Sequence, residues 1–180
     1  MNSIYTRIAF LLLWIPAFLQ GQNNLVIQQG TWTQSGAYVV IKNGNLITNG
    51  VFQQSAGTAK FSGSGMASIQ GLMSPGFYNL EVMMPGSQVD VEEPITIANF
   101  LILNGGLLSL SDFDATLLTV GAIQQMLSSS FVSTNGMGSL VLPLAANAAT
   151  NIPIGSGTTY QPLSIYNYSA IQTYRIKDVG

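Results

Sequence analysis

From Asn43 to Gly121 the chain repeats one phrase: a short apolar run, a tight polar turn, another short apolar run. The centre reads GTAKFSGSGMASIQG (57–71), then FYNLEV (77–82), ITIANFLILNGGLLSLSD (95–112) and TLLTVG (116–121). Runs this short cannot each bury a face alone, so they must stack on one another. Stacking of that kind defines a β-solenoid or a many-stranded β-sheet protein.

Period-two alternation pairs Leu80 with Val82, Val89 with Val91, Ile95 with Ile97, Leu101 with Leu103, Leu108 with Leu110 and Leu118 with Val120. Each pair puts two apolar side chains on one face of a short strand. Successive pairs start 9, 6, 6, 7 and 10 residues apart. Three such steps make 19 to 23 residues, the size of one three-sided coil. Residues 79–98 and 99–122 are then expected as two consecutive coils of a parallel β-helix. A β-sandwich with irregular loops is the competing architecture.

AYVVIK (37–42) is β-branched and aromatic and ends at Asn43-Gly44; Asn49-Gly50, Asn104-Gly105 and Asn135-Gly136 follow. Asn and Gly tolerate positive φ, so these pairs predict tight turns between strands. Helical signal is thin: AIQQML (122–127) has room for a turn or two before SSSFV.

Residues 1–21 read as a cleaved secretory signal peptide. Arg7 precedes an apolar run from Ile8 to Leu19, and Gly21 offers a small residue before Gln22. At about 1.5 Å per residue that run spans roughly 18 Å, short of the about 30 Å of a bilayer core. No later segment reads as a membrane helix. The sequence has no cysteine, so an exported chain of this kind has neither disulfides nor a lipidated N-terminal Cys. Its stability must come from stacking.

Once Arg7 is removed, Lys42, Lys60, Arg175 and Lys177 face seven acids, a net charge of −3. A nucleic-acid partner needs clustered Lys and Arg to neutralise phosphates, and no basic patch is available. After about Ser133 the text turns to STNGMGSLVLPLAANAATNIPIGSGTTYQPLSIYNYSA, with prolines at 143, 153 and 162. Prolines at strand starts and in connections suit an antiparallel sandwich. A sandwich takes about 100 residues, more than remain, and the sequence ends at YRIKDVG in mid strand–turn pattern. The expectation is a signal peptide (1–21), a β-solenoid (22–132) and an incomplete β-sandwich module (133–180) of a longer chain.

The phrase NGNLITNGVFQQSAGTAKFSGSGMASIQG (43–71), with FYNLEV and ITIANFLILNGGLLSL after it, resembles repeats in large secreted surface proteins of Bacteroidetes bacteria. The shared pattern is carried by Asn49, Gly50, Phe52, Gly57, Thr58, Phe61, Gly63, Ile69 and Gly71, then Phe77, Tyr78, Asn79 and Leu80. Ala67 stands where that pattern usually has Gln. SFVSTNGMGSLVLPLAANAATNIPIGSGTTYQPLSIYN (130–167) is similar to a module that often follows and opens a β-sandwich. The resemblance implies a cell-surface or secreted protein with an adhesive, matrix or filament-like role, and implies no catalytic residue.

Chemistry has few carriers here. Without His or Cys, no Ser–His or Cys–His nucleophile pair and no zinc site on those ligands can be built. Gly63, Gly65 and Gly71 lack the Lys of a phosphate loop and read as turn glycines. Asp112 and Asp114, in LSDFDAT, could share a strand face, and a pair of acids can hydrolyse glycosidic bonds; that is a fold-level analogy, and two acids in a polar turn are more often a solvated corner. Asp90, Glu92 and Glu93, with Glu81, offer oxygen ligands for Ca²⁺ but lack the regularity of a calcium loop. Trp32, Tyr38, Phe77, Tyr78, Tyr160, Tyr166, Tyr168 and Tyr174 are candidates for a sugar-stacking platform, with strand packing as the ordinary explanation.

The sequence therefore predicts a non-enzymatic secreted surface protein, structural or adhesive, with no catalytic, cofactor or metal site. Its partners would be an extracellular polysaccharide or a host or neighbouring cell surface. The alternative is a carbohydrate-binding or carbohydrate-active β-helix.

Overall fold

The computed structural model describes residues 24–36 and 38–178; the signal peptide expected over 1–21 lies outside them. The described chain is all-β, with no helix, and winds into a parallel β-solenoid of about 6 turns.

Two coils open the stack. The first holds β1 (Leu25–Ile27), β2 (Thr31–Gln34) and β3 (Tyr38–Lys42), and the second β4 (Leu46–Thr48), β5 (Val51–Gln54) and β6 (Thr58–Ser62). In the third and fourth coils the second and third sides fuse into one long bent strand. The third coil is β7 (Ala67–Gly71) with β8 (Gly76–Met83), and the fourth β9 (Gln88–Val91) with β10 (Ile95–Leu103). The fifth separates them again into β11 (Leu107–Leu110), β12 (Ala115–Leu117) and β13 (Ile123–Gln125), and the sixth begins with β14 (Phe131–Ser133) and β15 (Leu140–Leu144). AIQQML thus contributes strand β13 and no helical turn.

The remaining strands are β16 (Ala148–Ile152), β17 (Ile154–Ser156), β18 (Thr159–Tyr160), β19 (Leu163–Asn167) and β20 (Gln172–Ile176). The first side stacks as β1-β4-β7-β9-β11-β14-β17, every pair parallel. Parallel stacking therefore runs on past residue 133, where composition set the expected boundary. Antiparallel pairing enters where β18 adds to β17, β20 adds to β15, and β16 pairs β19.

Equivalent positions on neighbouring coils are joined by hydrogen bonds between residues 20 to 25 apart. Parallel register sets like on like. Leu46 lies under Ile69, then Val91, then Leu110; Leu80 lies under Leu101 and then Ile123; Phe61 lies under Val82 and Leu103. All of these except Ile123 are buried, and each contributes roughly 1.5–3 kcal/mol by leaving water. Trp32 stacks on Phe52 (centroids 4.8 Å, 21°), and Phe52 meets Phe77 at 5.3 Å, an aromatic column inside the first three coils.

One expected pair fails. Leu118 and Val120 are exposed, because β12 ends at Leu117 and the interior rows run Ile95 to Ala115 and Ile97 to Leu117. A search for two large apolar residues passes over Ala115, and the pattern slips by one residue. A slip of one turns a strand's faces over.

The corner between the second and third sides is made by β10 carrying an extra residue. Its register on β8 shifts between Ile97 and Phe100. Asn79 fills that corner. Its Nδ2 donates to Gly57 O at 2.9 Å, while its Oδ1 accepts from Asn99 Nδ2 at 2.9 Å and from the Phe100 amide at 3.2 Å. One side chain thereby ties three successive coils.

Candidate functional site

Asp112 and Asp114 sit in the turn between β11 and β12 and face the next coil. Asp112 Oδ1 accepts the Met137 amide at 3.0 Å, and Asp114 Oδ1 accepts the Ser139 amide at 2.9 Å. Asp114 also pairs with Arg175 at 2.9 Å, with both side chains partly exposed. The same bond is made elsewhere by asparagine: Asn43 Oδ1 accepts the Ser64 amide, Asn45 the Ser68 amide, and Asn24 the Asn45 amide, at 2.8–3.0 Å. The two acids are the carboxylate version of this corner bond. Asp112 is exposed and Asp114 half-buried, and each carboxylate is aimed at its own backbone donor.

The fit of that turn explains two glycines. A Cβ on Gly136 would run into Ser111 O, and one on Gly138 into the backbone of Phe113. Of the four Asn-Gly pairs, Asn43 (φ 50°) and Gly105 (φ 133°) use positive φ. Gly50 and Gly136 are instead needed for close approach to the preceding coil. Gly63 and Gly71 have φ of 128° and 144° and press on Asn43 and Thr48, while Gly65 meets open space.

The oxygen ligands named for calcium are dispersed. Glu81, on β8, is buried and receives Lys60 Nζ at 3.0 Å and Asn104 Nδ2 at 3.1 Å. Asp90, on β9 in the other sheet, accepts Gln88 Nε2 at 2.6 Å. Glu92 and Glu93 follow β9 in the next turn. Among the described residues no three of His, Cys, Asp or Glu gather around one point.

The aromatic candidates divide. Trp32 and Phe77 belong to the interior column with Phe52, Tyr78 is partly buried, and Tyr38 is exposed on the first coil. Tyr160 packs on Phe131 at 5.4 Å. Tyr166 and Tyr168 do come together, 4.3 Å between centroids at 42°, and both are exposed. Asn167 between them is buried. Its Nδ2 donates to Leu144 O, Ala145 O and Ala170 O, and its Oδ1 accepts from the Ser169 amide and Tyr174 Oη. The Asn167 side chain is therefore spent on holding the chain around it, while Tyr168 beside it is exposed.

Sequence reasoning missed one concave feature. Turns leading into the first side stack at one corner of the solenoid and enclose an open recess of about 330 Å³. Its walls are Pro85, Gly86, Ser87 and Gln88, then Gly105, Gly106 and Leu107, then Leu127, Ser129 and Phe131, with Thr158 from the β17–β18 turn. Gly106 (φ 77°) shapes the floor, since a Cβ there would strike Met84 O and Ser87 O. The sequence trace is Pro85-Gly86 and Gly105-Gly106 recurring at the same corner. No charged side chain lines the recess.

Comparison with protein-family models, with curated proteins and with solved structures finds no match to this chain.

Proposed function

We propose that this chain is a non-enzymatic secreted surface protein whose solenoid serves a structural or adhesive role. The observation that carries the reading is the use of the carboxylates. Asp112, Asp114 and Glu81, the acids best placed for chemistry, are each bound to a neighbouring coil. A glycosidase needs two carboxyl groups facing one substrate, one of them free to give up a proton. Acids spent on coil-to-coil bonds serve length and rigidity. Export rests on the Arg7–Gly21 pattern, and the resemblance to Bacteroidetes surface proteins points the same way. The antiparallel pairs made by β16, β19 and β20 are the start of a sandwich module under this reading.

The test is location and inertness together. Tagged protein in its native cell should be shaved from intact cells by external protease, and the purified chain should release no reducing ends from polysaccharides. Protein retained inside the cell overturns the surface role. Hydrolysis lost in the Asp112→Asn, Asp114→Asn double variant overturns the non-enzymatic one.

A carbohydrate-binding role is the second reading, favoured by the uncharged corner recess. Binding without hydrolysis is compatible with an adhesive surface.

A further inference from the structure

We infer that the corner recess is a binding groove for an extended, uncharged oligosaccharide lying along the solenoid axis. The inference rests on the adhesive reading above and names the ligand class. Ligand sites of about 300–1,000 Å³ that are mostly apolar with a few convergent polar groups are the ordinary form of a small-molecule site, and 330 Å³ is at the lower end of that range.

The first observation is the direction of the recess. Its walls come from turns of successive coils, so equivalent positions recur once per rung, about 4.8 Å apart along the axis. That spacing is close to the length of one pyranose unit in an extended glycan. A chain of linked sugars would meet one turn per unit, each of different sequence: 85–88, 105–107 and 127–131.

The chemistry of the lining is the second. Ser129 and Thr158 supply hydroxyls, Gln88 offers its amide oxygen while its Nε2 donates to Asp90, and Ser87 Oγ donates to Gly65 O and offers its lone pairs; Leu107 and Leu127 supply apolar wall, with Leu127 47% exposed. A pyranose has hydroxyls around its edge and C–H groups on its faces, which suits alternating walls of this kind. No charged side chain is among the lining residues, and Asp90 accepts from Gln88 Nε2 at 2.6 Å. An acidic glycan would find no cation here.

The third observation excludes the obvious competitor. An extended peptide binds a sheet protein by adding backbone hydrogen bonds to an open edge. Backbone groups around the recess are already engaged: Ser87 N with Met84 O, Met84 N with Gly105 O, Leu107 N with Ser87 O, and Ser130 N with Leu127 O, at 2.9–3.1 Å. A peptide strand has no ladder to join.

Amide chemical shifts of the purified full chain test this, with six-unit β-1,4-glucan, β-1,3-glucan, α-1,4-glucan and β-1,4-mannan as probes. A galacturonate hexamer and an uncharged hexapeptide are the comparison ligands. At least one neutral hexamer should move the amides of Ser87, Gln88, Leu107, Ser129 and Thr158. Ser129→Trp, at an exposed position on the wall, should weaken that binding by at least about tenfold, while Tyr168→Ala, outside the recess, leaves it unchanged. Both variants are first checked for an unaltered spectrum elsewhere; if Ser129→Trp fails, Leu127→Arg takes its place with the same expectation. No response at these amides to any neutral hexamer overturns the inference. So does an equal response to galacturonate or to the hexapeptide, or neutral binding that the recess variants leave intact. Surface location by protease shaving is read separately, so a groove without ligand and a protein that is not at the surface give different results.

Discussion

Asp114 Oδ1 accepts the backbone hydrogen of Ser139 at 2.9 Å, one coil along, and this bond does at an aspartate what Asn45 does for Ser68 at 2.8 Å. The acceptor oxygen matters in both cases and its charge is secondary. Changing Asp112 and Asp114 together to Asn should leave the fold almost intact, with a loss of no more than about 1 kcal/mol from the exposed Arg175 pair. Changing both to Ala leaves the buried Ser139 amide without its acceptor and should cost about 1–3 kcal/mol, while the exposed Met137 amide can turn to water. Urea midpoints of the two double variants decide the point, and equal midpoints would show that the corner bonds contribute nothing.

Asn79 is a stricter case because it bonds on both sides. Asn79→Ala removes acceptor and donor at the bulge between Ile97 and Phe100. A loss of about 2–4 kcal/mol is expected. Asn79→Asp keeps the acceptor for Asn99 and Phe100 but turns an oxygen toward Gly57 O, so it should be nearly as harmful. A midpoint for Asn79→Asp equal to that of the unaltered chain would remove the donor bond from the account.

Glycine demand separates two residues that look alike in the sequence. Gly138→Ala places a methyl against the Phe113 backbone, which cannot step aside as a side chain can. It should cost about 1–3 kcal/mol, the range for overpacking. Gly65→Ala meets open space at ordinary φ and should be neutral or slightly stabilising through the unfolded chain. Thermal midpoints of the pair give the comparison, and similar values would contradict the close fit of the 135–138 turn on the 111–114 turn.

Much of the coil stack was legible because alternation is a direct imprint of the pleat. The pairs at Leu80, Val89, Ile95, Leu101 and Leu108 all occupy buried rows, and their spacing carried the coil length. Legibility ended where small residues took interior places, as Ala115 does beneath the expectation for Leu118. Fusion of two sides into β8 and β10 was also hidden, since Asn79 and Asn99 bend the strand without a glycine or proline to mark it. The backbone donors that Asp112 and Asp114 serve were hidden, because a hydrogen bond to an amide on the next coil leaves no local pattern. The recess lies further still from the sequence: its walls come from separate turns, and only the recurrence of glycine at one corner hints that they meet.

The strands after residue 148 make the last prediction. β8 is paired along both edges, with β5 and β6 on one side and β10 on the other. Among the described residues β16 and β19 pair only with each other, forming a two-stranded sheet. Two strands alone are marginal in water, whereas stacked interior strands open only with the whole array. Amide exchange should therefore be slowest in β8 and β10 and faster in β16 and β19 by at least about a hundredfold, which corresponds to about 2.7 kcal/mol of opening energy. Asn167 should keep its own neighbourhood slower than the rest of that pair, because its side chain anchors Ala145 and Ala170. Slow exchange throughout β16 and β19 would mean that a further layer covers them, the outcome that a sandwich packed on these strands requires. Uniformly fast exchange in β8 as well would contradict the stacked core itself.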